Sequence, residues 1–236
     1  MKLYQQIAID ECGEPLVPIP TEHFVFEMPH AYQKLGAPYH DSKVDSPYYL
    51  RRGVVDSLLA AKIQLHQNYP KWKILIFDAY RPVEVQQFMV DYTFNQIARA
   101  QGCEFPVSEE KREVIIQHVY QFWAVPSMDR ATPPPHSTGA ALDVSLVDEN
   151  NRLIDMGSPI DEISERSYPD YFGNSNELQK QEYHRRRQIL KDAMISAGFQ
   201  QHPNEWWHFC LGDQMWAWLT NQNNSDLKFA ARYGRY

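Results

Sequence analysis

The chain has 236 residues and a mass of 27.7 kDa, which fits one domain better than two. Apolar residues make up 43% of the sequence and charged residues 22%, and 6 Trp, 14 Tyr and 11 Phe can supply a large core, so wholesale disorder is excluded. The 23 Lys and Arg residues are outnumbered by 30 Asp and Glu residues, and the net charge of −7 is the wrong sign for binding phosphates, so we expect no nucleic-acid partner.

Apolar runs and cysteines indicate where the protein works. The first twenty residues contain acidic residues and prolines, and no apolar run as long as a signal-peptide core. The longest apolar stretches, such as 74–77, are far shorter than the ~18 residues of a membrane helix, so we expect no membrane association. Cys12, Cys103 and Cys210 are odd in number and form no CxxC pair, which argues against a disulfide framework and against a cysteine zinc site. We therefore expect a cytoplasmic protein.

The first part of the chain is predicted to form an arm, a helix and a strand. Five prolines within 1–45 favour an extended N-terminal arm laid over the core. Apolar residues at i, i+4, i+7 and i+11 predict an amphipathic helix over about 50–68. Residues 73–77 then read as a buried strand, and Pro82 suits the first turn of a following helix. Arg81 is therefore expected at a strand-to-helix junction.

The rest of the chain mixes helices and strands. The predicted elements are helices near 83–101 and 108–124, a strand over 140–147 with a hairpin partner at 152–155, a helix over 176–197, a short aromatic strand over 205–211, and a polar tail over 221–236. The sequence has no repeating βαβ unit, no internal repeat and no Gly-rich phosphate loop. We predict a single domain over 1–236 of the α+β class, with a small antiparallel sheet flanked by helices.

Two short segments each place a histidine beside an acidic residue. One runs from His136 to Asp143, and the other is Glu205-Trp-Trp-His208. A zinc-type ion takes imidazole nitrogen and carboxylate oxygen, and a catalytic site uses three protein ligands with one position left for water. Two histidines and one aspartate would fill that set. Glu205 would then be the general base, because metal-bound water has a lowered pKa and a nearby carboxylate can take its proton.

Strand geometry supports a site position for Asp143 but leaves open whether Glu205 and His208 can point to the same site. Alternation along 140–147 turns Asp143 away from the apolar side chains and toward a cleft. Glu205 and His208 are three residues apart, so in a regular strand they would point to opposite faces. Both can address one metal only if Glu205 lies in a preceding bend or if a bulge intervenes. The remaining histidines are expected to be ordinary core or surface residues: His23, His30, His40, His66, His118, His184 and His202.

Four sequence blocks carry a resemblance to a known family. They are 77–82 (FDAYRP), 136–143 (HSTGAALD), 155–161 (DMGSPID) and 205–208 (EWWH). In this order the blocks resemble those of the VanX-type D-alanyl-D-alanine dipeptidases, a zinc peptidase family related in fold to D,D-carboxypeptidases and to the hedgehog signalling domain. The likeness spans about 70 to 210. It implies a hedgehog- and D,D-peptidase-like fold and hydrolysis of the D-alanyl-D-alanine dipeptide.

The resemblance also implies a role for each candidate residue. It implies three protein ligands for one zinc ion per chain: His136, Asp143 and His208. Glu205 would act as general base and then as proton donor to the leaving amine. Arg81 would stabilise the oxyanion that develops on the scissile carbonyl, and Asp161 would receive the free ammonium of a small dipeptide.

Several alternatives stay open at the level of sequence. Arg81 could instead form a salt bridge with Asp78, and Asp161 could cap a helix. Members of the family often have Ser-Ser before the first histidine, one of them a contact for the substrate carboxylate, whereas this chain has Pro134-Pro135, which offer neither hydroxyl nor N–H. Alternative functions are a D,D- or L,D-carboxypeptidase acting on longer cell-wall peptides and a non-catalytic metal-binding module.

Overall fold

The computed structural model describes residues 2–41, 44, 46–223 and 228–236. The predicted arm and tail therefore lie in part outside the described residues. The α-helices are Ala31–Lys34 (α1), Arg52–Asn68 (α2), Val83–Ala100 (α3), Glu109–Val119 (α4), Leu178–Ser196 (α5) and Gln214–Asn223 (α6). The strands are Leu16–Pro18 (β1), Val25–Phe26 (β2), Tyr49–Arg51 (β3), Lys73–Asp78 (β4), Ala141–Val147 (β5), Gln200–Gln201 (β6) and His208–Cys210 (β7).

Five strands form the main sheet, in the order β2, β4, β5, β7, β6. The contacts between β4, β5, β7 and β6 are antiparallel, but β2 pairs in parallel with β4 through Val25 and Phe26. The expectation of an antiparallel sheet is therefore wrong at one edge, where the arm adds a strand. Because β2 has only two residues, its sequence is too short to show strand periodicity. The α+β class is confirmed.

Alternation along the central strands separates an apolar face from a polar one. Side chains from β4 and β5 are fully buried beneath α2 and α5: Ile74, Ile76, Leu142, Val144 and Leu146. Asp143 and Ser145 point to the opposite face, as the period of two requires. A second apolar cluster joins α3 and α4 to Tyr32 and Tyr39 of the arm. Because Ile19 and Phe24 of the arm belong to the first cluster, the arm contributes to both clusters.

Most of the longer predicted elements are confirmed, with differences at their ends. The helix expected over 108–124 ends at Val119, where a turn brings Trp123 into the second cluster. The hairpin after β5 is reduced to one bridge between Val147 and Leu153. Helix α6 begins well before the predicted polar tail at 221. Within the described residues, no helix is both long and apolar enough to cross a membrane.

Candidate functional site

Strand pairing brings two of the predicted ligands face to face. Asp143 of β5 lies directly opposite His208 of β7. His136 reaches the same point from a 3-10 turn, Pro135–Thr138, that ends at Gly139 and leads into β5. Gly139 has φ +71°, a left-handed conformation that glycine adopts without strain. This reversal of the chain lets His136 approach Asp143, seven positions further along.

The three side chains form a buried cluster of nitrogen and oxygen ligands. His208 Nδ1 lies 3.0 Å from Asp143 Oδ1, and His136 Nε2 lies 3.3 Å from Asp143 Oδ2. One ligand atom from each residue lies within 4.8 Å of the others. His136 Nδ1 lies 2.7 Å from the Ala79 carbonyl oxygen; donating its proton there leaves the Nε2 lone pair facing the cluster. The N₂O set fits a zinc-type ion with a further position for water.

Glu205 lies in the turn before β7, because that strand begins only at His208. The bend removes the conflict in strand geometry: Glu205 Oε2 is 3.8 Å from His208 Nδ1. Burial raises the pKa of Glu205 well above its usual value, and the Asp143 and Asp161 carboxylates reinforce the effect. Both effects favour the protonated form of Glu205, whereas a nearby positive charge would favour the ionised form. A carboxyl group of this kind can accept and return a proton.

Arg81 follows β4 and is almost completely buried. Its Nε donates to Asp78 Oδ2 at 2.8 Å, and an Nη atom lies 3.2 Å from Asp143 Oδ2. Burial acts to raise the pKa of Asp78, but Arg81 and a hydrogen bond from His30 together hold it below its usual value. The salt bridge with Asp78 thus exists, and the same guanidinium also lines the pocket. The salt bridge is confirmed, and Arg81 lies at the predicted strand-to-helix junction, while its action on a carbonyl oxygen stays a prediction.

Asp161 lines the pocket from the loop after β5. Tyr32 donates its hydroxyl proton to Asp161 Oδ2 at 2.9 Å. Burial raises the pKa of Asp161 to about 7, with a further contribution from Asp143. The residue has φ +65° and caps no helix, since the next 3-10 turn is capped by Ser164. The helix-cap alternative is therefore wrong for Asp161.

Several residues of the site were missed by sequence reasoning. His30 Nε2 is 3.0 Å from Asp78 Oδ1, and the Tyr39 hydroxyl donates to the same oxygen. His202 Nδ1 is 3.9 Å from Glu205 Oε1, and burial lowers the pKa of His202 well below its usual value. Of these residues, only His202 could have been identified from the sequence, because it lies three residues before Glu205. The arm residues meet the site through contacts that no local pattern reveals.

All six predicted site residues line one pocket: Arg81, His136, Asp143, Asp161, Glu205 and His208. The pocket thus combines a potential cation site, a proton carrier, a fixed guanidinium and an acidic group that lies apart from the ligand cluster. This combination suits the cleavage of a small substrate that carries a positive charge. The Asp161 carboxylate could form an ion pair with that charge.

Comparisons with known proteins identify relatives over the whole chain. The family model described as D-ala-D-ala dipeptidase matches residues 28–229. A D-alanyl-D-alanine dipeptidase of Synechocystis sp. is 49% identical over 242 residues, which cover 100% of this chain and 97% of that protein. A D-alanyl-D-alanine dipeptidase of Enterococcus faecium is 30% identical over 173 residues, covering 68% of this chain and 72% of its own.

A solved structure, that of a vancomycin-resistance D,D-pentapeptidase in complex with Zn(II), is similar with 14% identity and a TM-score of 0.43, covering 88% of this chain and 89% of its own. The family match includes all six predicted site residues. With this match and the full-length relative at 49% identity, the chain belongs to the D-ala-D-ala dipeptidase family of peptidases.

Proposed function

We propose that this chain hydrolyses the D-alanyl-D-alanine dipeptide to two D-alanines, with one zinc ion per chain. His136, Asp143 and His208 would hold the ion. The observation that carries the proposal is the convergence of these three ligands with Glu205 and Asp161 on one buried pocket. The names of the relatives support the substrate. A bound zinc ion would supply Lewis-acid chemistry, lowering the pKa of water and polarising a carbonyl.

Three side chains carry out the remaining steps: proton transfer, stabilisation of the oxyanion and binding of the substrate ammonium. Glu205 takes a proton from the attacking water and returns it to the nitrogen of the leaving D-alanine as the peptide C–N bond breaks. Arg81 donates to the carbonyl oxygen as negative charge develops on it, and its bonds to Asp78 and Asp143 fix its direction. Asp161, oriented by Tyr32, receives the free ammonium of the substrate.

The position of Asp161 in the pocket wall supports a dipeptide rather than a long peptide as substrate. An acidic group at the pocket wall would pair with an ammonium only if the substrate ends there. A cytoplasmic location stays a prediction, supported by three cysteines that are all free thiols.

Turnover of free and blocked dipeptide by zinc-loaded protein tests the function. We expect D-alanyl-D-alanine to be cleaved and N-acetyl-D-alanyl-D-alanine to lose roughly 30-fold or more in kcat/KM, because blocking the amine leaves Asp161 unpaired. Glu205→Gln should keep its zinc and lower kcat by about 100-fold or more. The exposed Glu165 provides the control variant Glu165→Gln, which should match the unmodified protein.

Two outcomes would contradict the proposal in different ways. Equal turnover of free and acetylated dipeptide would favour a carboxypeptidase that acts on longer peptides. Absence of hydrolysis with stoichiometric zinc bound would favour a metal-binding module without catalysis. Loss of zinc after His136→Ala or His208→Ala, measured by elemental analysis, separates the metal site from the reaction.

A further inference from the structure

The pocket contains a second cationic side chain that none of the four sequence blocks includes. Lys2, from the N-terminal arm, lines the same pocket as Arg81 and Glu205. Its charge is close enough to Glu205 and His202 to influence the pKa of both residues. Lys2 and Glu205 thus belong to the wall of one pocket.

The arm segment that carries Lys2 is fixed by buried contacts. Tyr4 packs against Ala141, Cys210 and Met215 in a separate apolar cluster. The Gln214 side chain donates to the backbone carbonyl oxygens of three other residues: Gln5, Ile7 and Ala131. Lys2 reaches the pocket from a segment that is already held in place, so little backbone entropy is lost when its side chain binds a ligand.

The two cations of the pocket differ in their partners. Arg81 bonds to Asp78, Asp143 and Gln86. By contrast, the Lys2 ammonium has no ion pair and no hydrogen bond among the described residues. Burial lowers the pKa of Lys2, and Glu205 opposes that shift. A partly buried ammonium without a direct partner gains from an incoming anion.

The loop before His136 offers no such donor. Pro134 and Pro135 have no N–H, and Pro135 is part of the pocket wall. The hydroxyls of Ser137 and Thr138 donate back to the carbonyl oxygens of these two prolines, at 2.8 and 2.6 Å. The substrate carboxylate must therefore find its partner elsewhere.

The chemistry of the cleavage locates that partner. The leaving D-alanine receives its proton from Glu205, and its carboxylate is separated from the protonated nitrogen by a single carbon atom. The carboxylate must therefore bind close to Glu205, where Lys2 lies. Asp161 lines the same pocket, where it accepts a hydrogen bond from Tyr32. The pocket thus presents an anion and a cation to a substrate with two opposite terminal charges.

We propose that Lys2 of the N-terminal arm binds the C-terminal carboxylate of the dipeptide and thereby sets the preference for substrates with a free C-terminus. The inference rests on the proposed dipeptidase function and adds a specificity residue to it. Lys2 takes no part in the bond-breaking step.

Comparing D-alanyl-D-alanine with D-alanyl-D-alaninamide tests the proposal, because the amide has nearly the same shape but no negative charge. The unmodified zinc-loaded protein should prefer the free acid by about 10- to 100-fold in kcat/KM, the range expected for one hydrogen bond to a charged group. Lys2→Met should remove that preference by weakening the free acid alone, mainly through KM. Lys2→Arg should retain most of it, and the exposed Lys34 supplies the control Lys34→Met.

Three results would overturn the assignment. If the preference for the free acid persists in Lys2→Met, another group binds the carboxylate. If the unmodified protein shows no such preference, the pocket has no group that recognises the carboxylate. Equal losses on acid and amide, together with a shifted pH profile, would show that Lys2 acts only on Glu205. Failure of the proposed function is distinguishable, because the unmodified protein would then cleave neither compound.

Discussion

At the scale of single residues, Asp161 shows how a buried carboxyl group in a pocket wall can lower stability. Its carboxylate is directed into the pocket and accepts one hydrogen bond, from Tyr32, while burial raises its pKa to about 7. In the unfolded chain its pKa would be about 4. The folded state therefore binds more protons between these values, so Asp161 reduces stability as the pH rises from about 4, and the full penalty is present above about 7.

Asp161→Asn should separate stability from binding. Asparagine keeps an acceptor for Tyr32 and tolerates the positive φ, but it has no charge to bury. We expect the melting temperature of the metal-free protein to rise by roughly 3–8 °C at pH 8 and to change little at pH 4. Thermal unfolding at both pH values measures this, with Asp155→Asn at an exposed position of the same loop as control. An equal change at both pH values would refute the electrostatic explanation.

The residues that sequence could reveal are those whose partners lie nearby in the chain or in a recognisable block. His136, Asp143, Glu205 and His208 stood out because each histidine has an acidic neighbour within seven positions. Lys2 had no such signal, since its pocket is formed by residues far along the chain. Contacts of this kind depend on the path of the arm, which local patterns do not encode.

At the scale of elements, the turn at Gly139 determines how the His136 side chain approaches Asp143. A Cβ atom at Gly139 would overlap the Leu16 side chain, and the positive φ adds strain for any other residue. We expect Gly139→Ala to lower the free energy of unfolding by roughly 2–4 kcal/mol and to reduce zinc occupancy. Urea unfolding and elemental analysis measure the two effects.

Gly102 offers a matched comparison for that change. It also has a positive φ, of +67°, but an added Cβ would meet nothing within 4 Å. Gly102→Ala should therefore show only the conformational cost, roughly 1–2 kcal/mol, and should leave zinc occupancy intact. If both variants lost the same stability, contact with Leu16 would not be the reason.

Element length explains which parts of the fold could be predicted. Helices α2, α3 and α5 are long enough to repeat an apolar stripe, and β4 and β5 carry buried apolar runs. Strands β2 and β6 have two residues each and show no period at all. Their places in the sheet come from long-range pairing, so the parallel edge could not be read from the sequence.

At the scale of the whole molecule, Arg51 connects the arm, the C-terminal segment and the turn that carries His136. Its side chain is buried and donates to the carbonyl oxygens of Thr138, Glu14 and Gly234. Three separate parts of the chain thus depend on one guanidinium. Its removal would leave these acceptors without a partner.

Arg51→Met should lower the free energy of unfolding by about 3 kcal/mol or more, because several buried acceptors lose their donor together. Chemical denaturation provides the measurement. The adjacent and exposed Arg52 supplies the control Arg52→Met, for which we expect a change within about 0.5 kcal/mol. Similar losses for the two variants would mean that general charge, rather than these contacts, is responsible.

Because Cys210 packs beneath the arm, the accessibility of its thiol reports the detachment of the arm. The Cys210 thiol is completely buried in the cluster with Tyr4, whereas Cys12 is exposed and Cys103 is half-buried. A thiol-specific reagent can therefore label Cys210 only when the cluster opens. The rate of Cys210 labelling measures how often the segment that carries Lys2 and Tyr4 detaches. A substrate that binds both Lys2 and the rest of the pocket would slow the labelling.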